Sequence, residues 1–285
     1  MIRILPISAL TAFVTATPAW VQPNKRKLAE DMLAKMATIQ TMKYRLFKKE
    51  RFGTKYRESE LEIKYRKNPF ACYIYFYSPD PGIEVLYVEG QNNGKAYVNP
   101  NKKLLSLVDF DFDPYGKTMR KEEHHTLFEN GLEYTRSLLK HAMEVADREG
   151  KFEEYYTLEG EVNFNGRPCY KVILEYKPFR WIPYTVKEGE DLVKIARRLF
   201  LNEYMILERN KLPFYNSVKP GQKIEIPNMF AKKVVLYIDK INLLPIFQQV
   251  YDDQGLFEEY HYKNLIINPS FTSKDFDKNN PEYHF

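Results

Sequence analysis

The stretch YTVKEGEDL, residues 184–192, opens a segment whose pattern differs from that of the chain around it. Its first residues are typical of a short strand, Gly189 marks a turn, and the acidic residues after it are placed to cap a helix and offset its dipole. A second helix is predicted at about Glu203–Asn210, and VKPGQKIEIP, residues 218–227, reads as a turn followed by a closing strand. The segment therefore predicts a small domain with the order strand, helix, helix, strand.

This segment closely resembles the LysM family. The matching residues are Tyr184-Thr185-Val186, Gly189, Leu192, Ile195-Ala196, Lys219-Pro220-Gly221-Gln222-Lys223-Ile224 and Ile226-Pro227. The resemblance implies binding of N-acetylglucosamine-containing glycans such as peptidoglycan, in a shallow groove between two loops. The expected glycan-binding residues are Gly189, Glu190, Asp191 and Leu192 on one side, and Asn210, Leu212, Pro213, Phe214 and Tyr215 on the other.

Glu190-Asp191 departs from the Asp-Thr that is usual in the family, so a second carboxylate replaces a small hydroxyl. The alternative to glycan binding is that the LysM fold serves only as a spacer or as a module that contacts protein, because a fold does not guarantee its site.

The segments on either side predict one larger sheet. Asn24 can cap a helix with an apolar stripe at Leu28, Met32, Met36 and Ile39, and strand alternation then runs from Met42 to Phe110. A helix is predicted over Glu122–Arg148, and strands over Phe152–Val162, Arg167–Tyr176, Lys233–Lys240, Pro245–Asp252 and Leu256–Ile267. The small domain is then an insertion into a hairpin of that sheet, at the kind of site where insertions are tolerated.

The outer segments resemble an uncharacterised envelope family whose fold is similar to the lipoprotein carriers LolA and LolB. The residues that carry this resemblance are 109–114 (DFDFDP), 130–132 (NGL), 237–240 (YIDK) with Leu244-Pro245, 251–255 (YDDQG), and 275–283. The resemblance implies a concave apolar surface for acyl chains or a lipoprotein anchor. Tyrosines that alternate along the strands are candidates to line that cavity: Tyr73, Tyr75, Tyr77, Tyr87 and Tyr97. The alternative is that these side chains simply pack against the helices.

The expected fold class is thus α+β: a curved antiparallel sheet, a LolA-like half-barrel, packed on helices with an inserted βααβ LysM domain. The expected domains are a signal peptide at 1–22, the first part of the sheet domain at 23–183, the LysM domain at 184–228, and the second part of the sheet domain at 229–285.

The N-terminus has the layout of a secretory signal. Arg3 precedes an apolar stretch, Ile4–Trp20, that is interrupted by two prolines and ends in small residues. The alternative is an apolar first helix; a membrane span is excluded by length. We therefore expect an exported protein with no transmembrane segment in the mature chain, in the periplasm or associated with the outer membrane of a Gram-negative bacterium.

Charge and composition restrict the partners. The net charge of +5 is spread along the chain, which suits an anionic envelope polymer but is too diffuse to indicate nucleic-acid binding. The expected partners are peptidoglycan and a lipid acyl chain or an envelope lipoprotein.

The sequence offers little catalytic chemistry, and we expect neither an enzyme nor a cofactor or metal. The pair His124-His125 has no further metal-ligand spacing nearby and reads as a solvated pair at a helix start. The acidic residues Asp109, Asp111, Asp113, Glu258 and Glu259 could form a glycosidase pair, but turn capping and strand alternation account for them.

Cys72 and Cys169 could form a disulfide in an oxidising compartment or remain free. A lipid carrier, a wall-remodelling hydrolase and a scaffold remain as rivals to a glycan-binding envelope protein.

Overall fold

A computed structural model describes residues 23–101 and 110–285, and its main feature is an eleven-stranded antiparallel sheet. The elements are α1 (Lys25–Ala37), β1 (Thr41–Phe52), β2 (Lys55–Arg66), β3 (Ala71–Ser78), β4 (Glu84–Val88), β5 (Ala96–Asn99), β6 (Phe110–Phe112), α2 (Glu133–Arg148), α3 (Phe152–Tyr155), β7 (Tyr156–Phe164), β8 (Arg167–Glu175), β9 (Trp181–Thr185), α4 (Leu192–Leu199), α5 (Glu203–Arg209), β10 (Lys223–Pro227), β11 (Lys233–Asp239), β12 (Pro245–Asp252) and β13 (Gly255–Ile267). The strand order of the large sheet is β6-β5-β4-β3-β2-β1-β13-β12-β11-β8-β7.

The predicted fold class is confirmed. The large sheet is open, curved and antiparallel, and β9 and β10 form a separate two-stranded sheet with α4 and α5. The segment from β9 to β10 lies between β8 and β11, which pair with each other through Glu175 and Lys233. The predicted signal segment lies outside the described residues. Within the described residues, no helix is long and apolar enough to span a bilayer.

One face of the central strands changes from apolar to charged along its length. In β1 the buried positions are Met42, Tyr44 and Leu46, followed on the same face by Lys48 and Glu50. The register carries this division across the sheet, because Leu46 lies opposite Leu61 and Tyr262, whereas Glu50 lies opposite Glu258. Charged residues on a buried face must find partners, and these partners come from the loop before α2 and from the small domain.

The helices cover the apolar end of this face. Asn24 caps α1 by accepting a hydrogen bond from Lys27 N (2.9 Å), as predicted, and α1 packs against α2. The predicted helix over Glu122–Arg148 is wrong in its first half, since α2 begins at Glu133. Gly131 has φ +82°, and a Cβ there would lie 2.6 Å from the Tyr65 ring, so the chain makes a tight turn against β2 before the helix starts.

Two smaller predictions are also corrected. Phe152–Tyr155 forms one helical turn, and the strand predicted from Phe152 starts at Tyr156. Cys72 and Cys169 are both free and buried, on β3 and β8, so the disulfide alternative is wrong.

Candidate functional site

The two loops that the sequence assigns to the glycan groove lie side by side. Leu192 N donates a hydrogen bond to Tyr215 O (2.9 Å), which joins the loop after β9 to the loop after α5. Leu192 and Tyr215 are buried, and Leu192 belongs to the core of the small domain. The accessible parts of the groove are Gly189 and Pro213, with Leu212 and Phe214 half-buried beside them. The role of these residues in glycan binding stays a prediction.

The two carboxylates that depart from the family pattern stabilise the first loop. Glu190 accepts hydrogen bonds from Tyr184 Oη (2.7 Å), Lys187 N (2.9 Å) and Arg198 Nη2 (2.6 Å). Burial raises the pKa of the Glu190 carboxyl, but these hydrogen bonds outweigh it and the pKa is lowered. Asp191 caps α4 by accepting from Lys194 N (2.8 Å). Both acids therefore act within the loop.

The second loop is fixed to the sheet of the small domain. Asn210 donates to Ile206 O (2.8 Å) and to Glu225 O (2.7 Å), and it accepts from Glu225 N (2.8 Å). All hydrogen-bonding groups of this amide are thus used to hold the loop, so we expect Asn210 to position Leu212 and Phe214 rather than to contact a sugar.

The loop of the large domain between β6 and α2 reaches the same groove. Lys117 Nζ lies 5.7 Å from the centroid of the Phe214 ring, and the Arg120 guanidinium lies 3.5 Å from that of Tyr215. Arg120 also forms an ion pair with Glu203 of α5 (2.6 Å), and both side chains are almost fully buried. The groove is therefore bounded by both domains.

Helix α5 docks on the charged end of the large sheet. Asn202, the residue that caps α5, donates from Nδ2 to Glu258 Oε1 (2.8 Å). The Tyr204 ring stacks on the His124 ring with centroids 4.2 Å apart, and Gly53 N donates to Glu208 Oε1 (2.7 Å). These contacts make the small domain an integral part of the molecule rather than a loosely tethered module.

The histidine pair lies in this interface, with His124 fully buried and His125 largely buried, which corrects the prediction of a solvated pair at a helix start. His124 is fully buried, and its ring nitrogens lie 2.8 Å from Glu258 Oε1 and 2.7 Å from Arg51 O. His125 Nε2 lies 3.1 Å from the same Glu258 oxygen. The prediction failed because Glu258 lies 134 residues further along the chain. Among the described residues, no group of three His, Cys, Asp or Glu side chains is placed to hold a metal ion.

The His125–Glu258 contact predicts a pH-dependent stability. Burial lowers the pKa of His125, but the negative charge and hydrogen bond of Glu258 outweigh it, so the pKa is raised above its ordinary 6.5. A histidine whose pKa is higher in the folded state than in the unfolded state stabilises the fold when it is protonated. This contribution is fully present at pH values below the unfolded-state pKa, and it is lost as the pH rises through the folded-state pKa. We expect the stability advantage of the wild type over His125→Gln, measured by urea unfolding, to be largest near pH 6 and to shrink at higher pH. An advantage that stays constant or grows with pH would contradict this assignment.

The other acidic candidates have structural partners. Asp111 accepts from Asn92 Nδ2 (2.8 Å), Asp113 accepts from Tyr115 N (2.9 Å), and Glu259 accepts from Gln249 Nε2 (2.6 Å). Asp109 lies outside the described residues. Turn and strand contacts thus account for these described acids, whereas Glu258 belongs to the buried interface.

A cavity of about 470 Å³ lies on the same face of the sheet, between its central strands, α2 and the loop before α2. Its apolar part is lined by Leu46, Leu61, Ile74, Phe76, Ile83, Val85, Val98, Leu127, Leu138, Leu139, Leu236 and Val250, among others. Its polar part is lined by Lys48, Glu50, Glu123, His125, Gln248, Glu258 and Tyr260, among others. The volume is in the range of small-molecule sites, about 300–1,000 Å³.

None of the five tyrosines predicted to line a cavity lines this one. Tyr73, Tyr75 and Tyr97 face the opposite side of the sheet, where they form a cluster with Phe276 and Tyr283 near the C-terminus. Tyr77 is exposed, and Tyr87 packs on Phe128 with ring centroids 5.0 Å apart. The alternate residues Ile74, Phe76, Val85 and Val98 line the cavity instead, because successive strand residues point to opposite faces.

The polar end of the cavity was not predicted from the sequence. Lys48 Nζ lies 3.2 Å from Glu50 Oε2 and also pairs with Glu123, while Tyr260 Oη donates to Glu50 Oε1 (2.9 Å). The available signal was that Lys48 and Glu50 continue the inward-facing positions of Met42, Tyr44 and Leu46.

Comparison with known structures gives distant likenesses of the fold. The chain is similar to LprF from Mycobacterium bovis, with 11% identity over 87% of this chain and 94% of that chain and a TM-score of 0.41. It is similar to a LolA superfamily protein from Nitrosomonas europaea, with 9% identity over 88% and 97% and a TM-score of 0.30. It is also similar to a DUF1329 family protein from Desulfovibrio piger ATCC 29098, with 13% identity over 90% and 98% and a TM-score of 0.34. Likenesses of this size support no conclusion about ligands or partners.

Comparison with family models is more specific. The LysM domain model matches residues 184–227, which confirms the LysM domain expected from the sequence. No curated protein is significantly similar to the chain. The model of the protein of unknown function DUF1571 matches residues 39–180 and 218–285, which is more than half of the chain. The chain therefore belongs to the DUF1571 family and carries a LysM domain within the region that defines it.

Proposed function

We propose that this chain is a non-catalytic, exported protein of the cell envelope. Its LysM domain binds N-acetylglucosamine-containing glycan, in the first place peptidoglycan, and its large domain binds the acyl chain of a lipid or lipoprotein in the cavity. The LysM match carries the first part of the proposal, and the cavity carries the second. The expected location is the periplasm, or association with the outer membrane, of a Gram-negative bacterium.

The groove has the chemistry that a neutral sugar requires. Gly189 leaves backbone groups accessible at the turn, and Leu212, Pro213 and Phe214 offer an apolar surface that can cover the face of a sugar ring. Asn210, Glu190 and Asp191 hold the loops, so both sides of the groove are fixed before ligand binds. A site that is formed in advance loses less entropy on binding.

The glycan part is tested by titrating the full chain with a soluble N-acetylglucosamine pentamer in a calorimeter. We expect Phe214→Ala to weaken binding by about 30-fold or more, because truncation of a central aromatic anchor costs about 2 kcal/mol or more. The matched control is Tyr56→Ala, which truncates an exposed tyrosine of β2, and it should bind as the wild type does.

Absence of binding by the folded wild type would contradict the glycan part and leave the LysM domain as a module that shapes the protein. In that case the cavity would carry the function, and the chain would be a lipid or lipoprotein carrier with LysM as an accessory. The cavity is the observation that favours this second candidate.

A further inference from the structure

The polar end of the cavity contains more acids than bases. Its lining includes five carboxylates, Glu50, Asp80, Glu123, Glu129 and Glu258, against the cations Lys48, Arg57 and Lys121 and one histidine, His125. These are the charged side chains of the described residues, 23–101 and 110–285. Glu129 is paired with Arg197, which lies outside the lining, so the excess of negative charge rests on Glu50 and Glu123, which share Lys48. An anionic group placed beside these two carboxylates would meet like charge in a partly dry site, where such contacts cost most.

The buried charges at this end are already paired with each other. Lys48 forms ion pairs with both Glu50 and Glu123. A single oxygen, Glu258 Oε1, is hydrogen-bonded to His124, His125 and Asn202. Arg57 is engaged by Asp80 and Glu122 at the mouth. A ligand with a net charge of either sign would have to disturb these pairs, and breaking a buried pair is strongly unfavourable.

A buried amide donor lies at the boundary between the polar and apolar parts of the cavity. Gln248 is 6% exposed, lines the cavity, and lies opposite Tyr260 and Leu236 in the sheet. Its Nε2 has no hydrogen-bond partner of normal geometry among the described residues, and its amide interacts only with the Tyr262 hydroxyl on the same face. Because an unpaired buried amide is unfavourable, this nitrogen is suited to donate to an acceptor on a ligand.

We infer that the cavity selects an uncharged amphiphile, with its acyl chain toward α2 and an ester or amide carbonyl that accepts a hydrogen bond from Gln248. Leu138 and Leu139 of α2 line the apolar end, and the exposed lining residues Asp80, Thr118 and Lys121 mark the mouth at the polar end. The head group therefore lies at the polar end and the chain lies deep. This inference rests on the proposed binding of an acyl chain in the cavity and names the class of that ligand.

The test compares two amphiphiles with the same chain on the full-length protein. N-phenyl-1-naphthylamine, an uncharged dye, is bound first and is then displaced by monooleoylglycerol or by oleate at neutral pH. We expect the neutral ester to displace the dye at a concentration roughly tenfold lower than oleate, as a like-charge contact worth about 1.4 kcal/mol would give.

Two variants separate the contributions of hydrogen bonding and charge. Gln248→Met keeps the length of the side chain but removes the amide. It should weaken the binding of monooleoylglycerol by about tenfold and leave the binding of the dye unchanged. Glu123→Gln removes one carboxylate and should strengthen the binding of oleate, relative to the binding of the ester, by roughly threefold or more. Glu259→Gln, whose carboxylate bonds Gln249 and His261 and does not line the cavity, is the control and should change neither ligand.

Tighter binding of oleate than of the ester would overturn the inference, as would a Gln248→Met variant that binds the ester unchanged. If oleate also depended on Lys121, its carboxylate would lie at the mouth, and the proposed binding of an acyl chain would survive without the stated selectivity. If neither amphiphile nor the dye bound to the folded protein, the cavity part of the proposed function would fail together with this inference.

Discussion

Replacing Glu258 by alanine is expected to lower the free energy of unfolding by about 3–5 kcal/mol, because it removes one partner from a buried ionic cluster. Glu258 is 1% exposed, and its Oε1 is hydrogen-bonded to His124, His125 and Asn202. Burial raises the pKa of the Glu258 carboxyl, but His125 and the hydrogen bonds from both histidines outweigh it, so the pKa is lowered and the group is ionised at neutral pH. Without it, the buried His124 imidazole, the largely buried His125 imidazole and the Asn202 amide lose their acceptor.

The measurement is urea unfolding of the full chain at neutral pH, followed by circular dichroism. The adjacent Glu259→Ala variant is the matched control, because this carboxylate lies on the opposite face and bonds Gln249 and His261. It should cost less, about 1 kcal/mol, because this pair keeps some contact with water. Equal losses for the two variants would show that the Glu258 cluster does not hold the two domains together.

Arg120→Met is the second change with a large expected effect. Arg120 joins the loop before α2 to the LysM domain, since it pairs with Glu203, lies over the Tyr215 ring, and donates to His124 O (3.0 Å). The variant leaves Glu203 buried without its cation, so we expect a loss of about 3–5 kcal/mol in the free energy of unfolding. The exposed neighbour Lys121→Met should have little effect.

A double-mutant cycle shows whether the pair itself accounts for that loss. Glu203→Gln removes the complementary charge, and the double variant should be more stable than the sum of the two single losses predicts. The expected coupling is about 1–3 kcal/mol, the upper range for residues in direct contact. Strictly additive losses would contradict a direct Arg120–Glu203 interaction.

These contacts change how the LysM domain should be regarded. LysM could have been a tether attached to an independent carrier, but α5 supplies Asn202 to the histidine cluster, and the groove residue Tyr215 rests on Arg120. One side of the glycan groove is thus connected, through Arg120 and the carbonyl of His124, to the segment that places His125 in the cavity wall. Point variants of the groove are therefore better tests than a deletion, which would uncover Glu258.

The parts of the structure that depend on local sequence were predictable. The order of elements in the LysM segment follows from turn and cap residues within a few positions of each other, and Asn24 caps α1 as expected. The start of α2 was missed because the helical pattern extends back over residues that the Gly131 turn excludes.

The candidate site depends on long-range pairing, which the sequence alone does not give. The buried state of His124 requires Glu258 from β13 and Tyr204 from α5. The choice of Tyr73 and Tyr75 for the cavity failed because alternation within a strand does not say which of its two faces is covered by helices, and a shift of one residue exchanges the faces. Comparison of β3 with the inward positions of β1 would have selected Ile74 and Phe76.

Co-sedimentation with cell wall tests whether this protein holds a lipid at the cell wall. Purified peptidoglycan sacculi are mixed with the full chain and a fluorescent uncharged monoacylglycerol, and both protein and lipid are measured in the pellet after centrifugation. We predict that the lipid sediments with sacculi only when the wild-type protein is present, and that Phe214→Ala leaves both in the supernatant. Sedimentation of the protein without the lipid, or retention of the wild-type protein in the supernatant, would contradict the account.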